Sequence, residues 1–223
     1  MTRPTIPARI LPRAAALGAA LLAAQPATAF PLISEVFYDA VGSDDGQSFV
    51  ELHGTPGTVL DGWTVEIVNG ADGEVATTLA LLGVIGPGGL YVVADRLADG
   101  TTAVAGADLL LNFDFQNGPD SLVLRGPAGV ADAVGFGVFE AGMVFAGEGT
   151  PAPDVPAGSS LARHFADLDT DDNALDFGEL PVPTPGSARL VPEPGAGALA
   201  MVGAFGLVLL GRGRVRCSLP PLR

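Results

Sequence analysis

Lysine is absent from these 223 residues, and cysteine occurs once, at Cys217. With a single thiol no internal disulfide can form, so any fold must rest on its apolar core. Two histidines, His53 and His164, are the whole imidazole complement, and neither has a partner His or Cys at a zinc-ligand interval. No G-x-S-x-G elbow occurs, which removes the commonest sequence sign of a serine hydrolase. Glu140 and Glu148 share one loop, but spacing alone does not make them an acid/base pair. No catalytic constellation emerges, and the expectation is a protein that is not an enzyme, with a secreted hydrolase as the least favoured reading. Positive charge is nearly missing from the middle of the chain. Between residues 30 and 194 four arginines (Arg96, Arg125, Arg163 and Arg189) face all 25 carboxylates, a formal charge of −21. Nucleic acid is thereby excluded as a partner, since its affinity depends on cations meeting phosphates.

What is present in quantity is glycine (31) and proline (19), within a chain that is 48% hydrophobic. Many short strands separated by tight turns are the expected outcome. Residues 48–73, SFVELHGTPGTVLDGWTVEIVNGADG, carry this pattern most clearly. Val50 and Leu52 fall on one face, with Phe49, Glu51 and His53 on the other. Trp63, Val65 and Ile67 share a face, while Thr64, Glu66 and Val68 face away. Period-two alternation bounded by Gly, Pro, Asn and Asp predicts two antiparallel strands, joined through the turn at residues 54–57. A first strand is expected over PLISEVFYDA, with Ile33, Val36 and Phe37 contributing to the core. Further strands are expected over residues 75–85, at LYVVAD, at SLVLRG paired with VADAVGFG, and at SLARH as the last. About eight short strands in an all-β chain point to a sandwich or barrel.

The ends read differently. Arg3, Arg9 and Arg13 precede an apolar run at residues 14–24 and the small-residue site Ala27-Thr28-Ala29, so residues 1–29 read as a secretory signal peptide. Residues 195–211, GAGALAMVGAFGLVLLG, form an apolar run about 25 Å long as a helix, near the lower limit for spanning a bilayer. Arg212, Arg214 and Arg216 follow it and would hold the C-terminus inside, leaving the acidic domain outside.

The blocks ISEVFYD, FVELHG, LDGWTVEIVNG, GPGGLYVVAD, NGPDSLVLRG and GVADAVGFG, followed by GEGTPAP, SLAR, DTDDNALDF and TPGS, resemble in order those of the lamin-tail domain family in its bacterial, exported branch. His53 stands where that family more often has an aromatic residue. The resemblance covers most of residues 30–187 and implies an immunoglobulin-like β-sandwich with no established catalysis; fold alone confers no function. Pro192, Glu193 and Pro194, the apolar run and the basic tail of residues 212–223 are similar to a PEP-CTERM sorting signal, although CSLPPLR extends beyond the arginines. That resemblance implies processing by an exosortase-like enzyme and delivery to the cell surface or exopolysaccharide matrix of a Gram-negative bacterium.

The expected organisation is therefore a signal peptide (1–29), a β-sandwich domain (30–190) and a sorting and anchor segment (191–223). The expected work is non-catalytic binding or structure at the surface, through loops 40–47, 96–108 and 139–158 at one end of the sandwich, with exopolysaccharide or surface proteins as partners. The alternative is Ca²⁺-dependent binding by the acidic loop 167–176. Asp167, Asp169, Asp171, Asp172 and Asp176 offer hard oxygen ligands there, but the spacing is not an EF-hand: Asp172 and Gly178 stand where that loop needs Gly and Glu. The plainer reading is that these residues turn the chain and cap its amides. Asp39, Asp44 and Asp45 would join them as ligands only if the fold brings the two loops together. No other cofactor is expected.

Overall fold

The computed structural model describes residues 30–192, which form two sheets around one apolar core. The signal-peptide, membrane-helix and basic-tail readings, with Glu193, Pro194, Arg212, Arg214 and Arg216, lie outside the described residues; Pro192 is the last of them. No helix among the described residues is long and apolar enough to cross a membrane.

Ten strands and one helical turn follow in order: β1 (Leu32–Phe37), β2 (Phe49–His53), β3 (Thr64–Asn69), β4 (Val75–Ala80), β5 (Leu90–Asp95), β6 (Leu109–Leu111), β7 (Asp120–Gly126), β8 (Gly129–Phe136), β9 (Ser160–Arg163), α1 (Asn173–Asp176) and β10 (Phe177–Leu180). The larger sheet has the order β10-β9-β1-β2-β5-β6 and the smaller β4-β3-β7-β8. All pairings are antiparallel except that of β6 beside β5.

Alternation decides which residues enter the core. Val50 and Leu52 from β2 join Val65 and Ile67 from β3, Leu122 and Leu124 from β7, and Val134 and Phe136 from β8, all at most 2% exposed. Trp63 closes one end of this layer, its indole against Gly126, where a Cβ would come within 2.8 Å of the ring. The opposite parity on the larger sheet also finds cover. Phe37 and Phe49 pack with Val92, Ala94 and Val104 in a second apolar cluster on the outer face.

Two expectations need correction. The alternating strands around residues 48–73 are not partners: β2 pairs with β1 and β5, whereas β3 pairs with β4 and β7. The segment between them crosses from one sheet to the other, because both carry an apolar face and the core is buried only when those faces oppose. Nor is β9 the last strand, since β10 pairs with it along its whole length.

The Gly/Pro stretch after Phe139, expected to be a binding loop, covers an exposed strand edge over part of its course. Ala152 donates its N–H to the Gly135 carbonyl of β8 at 2.9 Å, and Ala152 and Val155 are buried. Asn173 does the same from its side chain. Its Oδ1 accepts from the N–H groups of Gly135 and Glu148, both at 3.0 Å, and its Nδ2 donates to the Ala133 carbonyl at 2.8 Å. An open edge would be a template for pairing with another chain, and this cover removes it. Because Asn173 is fully buried, Asn173→Ala leaves three backbone groups without these partners. The expected loss is about 2–3 kcal/mol, read as a lowered urea midpoint at unchanged slope.

Candidate functional site

The acidic loop after β9 is built around a buried cation. Arg163 ends β9 with its side chain turned inward and fully covered. Its Nη2 lies 2.7 Å from Asp132 Oδ1 on β8, and its Nη1 lies 2.9 Å from Asp176 Oδ2 and 3.3 Å from Asp169 Oδ1. Its Nε donates to the Ile33 carbonyl of β1 at 2.9 Å, and its guanidinium carbon stands 4.5 Å from the centroid of the Phe177 ring. One side chain thus joins both sheets and the loop between β9 and β10. Burial alone would push the guanidinium down; the Asp132 carboxylate, with Asp169 and Asp176, outweighs it and holds Arg163 above its ordinary value. Burial also opposes ionisation of Asp176, but the N–H and hydroxyl of Thr170 and the nearby arginine keep it below the usual carboxylate range.

The five carboxylates expected as Ca²⁺ ligands separate into distinct tasks. Asp176 accepts from the Thr170 N–H and hydroxyl at 2.9 and 2.8 Å, besides Arg163. Asp172 caps α1, accepting from the Ala174 N–H at 3.1 Å and from that of Thr150 at 3.2 Å. Asp169 closes a turn on the Asp171 N–H, where Asp171 takes the left-handed φ of 55° that Asp tolerates better than most residues. Asp167 accepts from the Val191 N–H at 2.7 Å. Turn-making and capping account for these contacts. Asp39, Asp44 and Asp45 do not join them: they follow the far end of β1, whereas Arg163 pairs beside its beginning.

Among the described residues, a different trio brings carboxylate oxygens within 4.8 Å of one another: Asp132, Glu148 and Asp169. Of these only Asp169 belongs to the set expected from the sequence. Glu148 Oε2 is buried with no hydrogen-bond partner, and burial, then Asp132 and Asp169, push this carboxyl up to about 8. At neutral pH a proton on Glu148 relieves the repulsion that Arg163 leaves unbalanced. The sign of the pH effect follows. The folded chain retains a proton that the unfolded chain, near 4.5, gives up. This contribution to stability is complete below about 4.5 and is lost as pH rises towards about 8. Glu148→Gln, which cannot ionise, is expected to flatten the fall of the denaturation midpoint between these values, measured by urea titration at a series of pH values.

The signal for this network is present in the sequence but faint. Arg163 is one of four arginines among the 25 carboxylates, and Asp132 interrupts an otherwise apolar strand. Its partner is 31 residues away, beyond the reach of local patterning.

The opposite end of the molecule gathers the loops expected to form a contact face. Asp95, at the end of β5, accepts from the Gly46 N–H at 2.7 Å and from that of Phe113 at 3.0 Å. The Ala103 N–H donates to the Gly46 carbonyl at 2.8 Å, tying loop 96–108 to loop 40–47. Loop 139–158 returns to the same end, where the Gly158 N–H meets the Asp39 carbonyl at 2.7 Å. The Tyr38 hydroxyl donates to Asp154 at 3.0 Å and accepts from the Val155 N–H at 3.0 Å. An open hollow there is lined by Ser43, Asp44, Asp45, Asp95, Asn112 and Asp114, among others. Burial, followed by Asp44, Asp95 and Asp45, raises the Asp114 carboxyl. The histidines lie elsewhere. His53 ends β2 and is held below its ordinary value by burial, against the pull of Asp167. The His164 ring packs on Gly178 of β10.

Comparison with models of protein families, with curated proteins and with solved structures returns no match.

Proposed function

We propose that the described domain is a non-catalytic binding or structural module, immunoglobulin-like in topology and of lamin-tail type, that acts outside the cell. In this reading residues 1–29 direct export, and residues 191–223 carry the chain to the surface or matrix through an exosortase-like processing step. The observation that carries the binding role is the convergence of loops 40–47, 96–108 and 139–158 on one acidic end, fixed by Asp95, Gly46 and Tyr38. Binding faces are commonly built from loops held on a rigid sandwich in this way. The order of the sequence blocks and the two-sheet architecture support the family reading.

Ca²⁺-dependent binding by the acidic loop 167–176 is the second reading, and the observation in its favour is that Asp169 of that loop brings a carboxylate oxygen within 4.8 Å of those of Asp132 and Glu148. The test of the first reading is co-sedimentation of the secreted protein with bacterial exopolysaccharide. The triple variant Asp44→Asn, Asp45→Asn, Asp114→Asn should lose retention while unfolding at the same temperature; equal retention of variant and parent sinks the assignment of the face. Calorimetric titration with Ca²⁺ addresses the second reading, for which absence of heat at millimolar concentration is fatal. Mass spectrometry of the native C-terminus tests the sorting step, expecting loss of the residues after about 194.

A further inference from the structure

The chain leaves β10 at the acidic end and then reverses. Residues 181–192 run back across the outer face of the larger sheet as an arm. The arm is fastened to two glutamates that stand directly opposite one another on β1 and β2, Glu35 and Glu51. These are 2% and 0% exposed, and among the described residues neither is in an ion pair. Like charges directly opposite on adjacent strands are unfavourable, so their donors matter. The arm supplies most of them. The Thr184 N–H and hydroxyl reach Glu35 at 2.9 and 3.0 Å, and the Gly186 N–H reaches Glu51 at 2.7 Å. Farther on, the Arg189 carbonyl accepts from Ala166 and the Val191 N–H reaches Asp167, both at 2.7 Å. Pro183 and Pro185 border a hollow of about 550 Å³ beside Phe37 and Phe49.

This attachment is specific in its hydrogen bonds and poor in buried apolar surface. From residue 186 onward every arm residue is exposed. The hinge is stiff, and a turn at residues 184–187 follows it, where the Ser187 N–H donates to the Thr184 carbonyl at 2.9 Å. Prolines at 181, 183 and 185 lock their own φ and bias Leu180, Val182 and Thr184 towards extended backbone. A stiff hinge holds the arm clear of its own sheet once these bonds open, and an identical arm from another molecule remakes every bond.

We propose that residues 181–192 are an exchangeable arm, which docks on its own sheet in the isolated molecule and on the same sheet of a second copy of this chain at high local density. In cis the short tether gives an effective concentration of about millimolar, so exchange belongs to crowded conditions. The proposal is independent of what meets the acidic loops.

The test uses the full chain in equal amounts of ¹⁵N-labelled and unlabelled protein, each with a photoreactive benzoylphenylalanine in place of Ser187 and with Cys217→Ser. The two forms are unfolded together, refolded at a series of concentrations and irradiated, and cross-linked peptides are identified by mass. Arm exchange predicts links from position 187 to β1 and β2, with the mixed-isotope fraction rising from near zero in dilute protein to about a quarter at about millimolar, where docking in cis and in trans are equal, and towards the random-pairing limit of about half above it. Pro181→Gly with Pro183→Gly, which frees the hinge to turn, should lower the mixed fraction severalfold. Links confined to single copies at every concentration overturn the proposal. So do mixed links that map elsewhere in the chain, such as within residues 195–211.

Discussion

Replacing Arg163 with methionine is expected to lower stability by about 3–5 kcal/mol. The substitution removes one positive charge and leaves Asp132 and Asp176, 0% and 4% exposed, without it. The cost is that of uncompensated buried charge, which exceeds anything the ion pairs themselves contribute. For a domain of this size the melting temperature should fall by roughly 10 °C or more. A companion variant separates this cause from lost packing. Arg163→Met combined with Asp132→Asn and Asp176→Asn removes the two buried carboxylates together with the cation, and should recover a large part of the loss if burial of charge is the reason. Arg163→Lys should remain destabilised, because a single ammonium cannot reach Asp132, Asp176 and the Ile33 carbonyl together. Urea denaturation of the four proteins at pH 7, followed by Trp63 fluorescence, decides the matter.

Phe136→Ala should cost about 3–5 kcal/mol through a different mechanism, a cavity in a dry core. Phe136 is fully buried, and its ring stacks on Tyr38 with centroids 4.2 Å apart and planes 15° from parallel. Tyr38 in turn ties its hydroxyl to Asp154 and Val155. Loss of the Phe136 ring therefore frees the return of loop 139–158 as well as opening space in the core. Limited proteolysis of the variant under native conditions should cut first within residues 139–158. A fall in the midpoint with no change in the cutting pattern would mean that the Tyr38 hydroxyl holds the loop without help from the stacked ring. Phe136→Leu, which keeps most of the volume, should retain more than half of the lost stability.

Strands are legible in the sequence wherever each face of the chain meets a different environment. FVELH and WTVEIV alternate because Val50, Leu52, Val65 and Ile67 enter the core while their neighbours point away, although in β2 Phe49 and Glu51 are covered on the outer face as well. The partners of those strands are not legible. Proximity in sequence suggests a hairpin, yet the segment from Gly54 to Trp63 changes sheet, and period-two patterning carries no information about which sheet a strand joins. β10 is hidden for another reason: FGEL contains a glycine and a glutamate, has no alternating apolar face, and is a strand only because β9 lies beside it. The acidic loop is visible as a cluster, but its organising charge is not, since Arg163 lies outside it and finds Asp132 across the core. The convergence of loops at one end follows from strand lengths and reversals, and so can be anticipated from the strand spacing alone.

Both ends of the described chain emerge at the same pole. Phe30 rests near Trp63, with ring centroids 6.4 Å apart, and Val191 is fastened at Asp167, where β9 has just ended. The loops around Asp44, Asp45 and Asp114 occupy the other pole. A tether at either terminus therefore orients the molecule identically, with the pole of Asp44, Asp45 and Asp114 facing outward. Copies attached side by side would build a brush whose outer boundary is a sheet of fixed negative charge. Such a boundary swells in dilute salt and contracts as counterions screen it, over distances set by a Debye length of about 8 Å at physiological ionic strength.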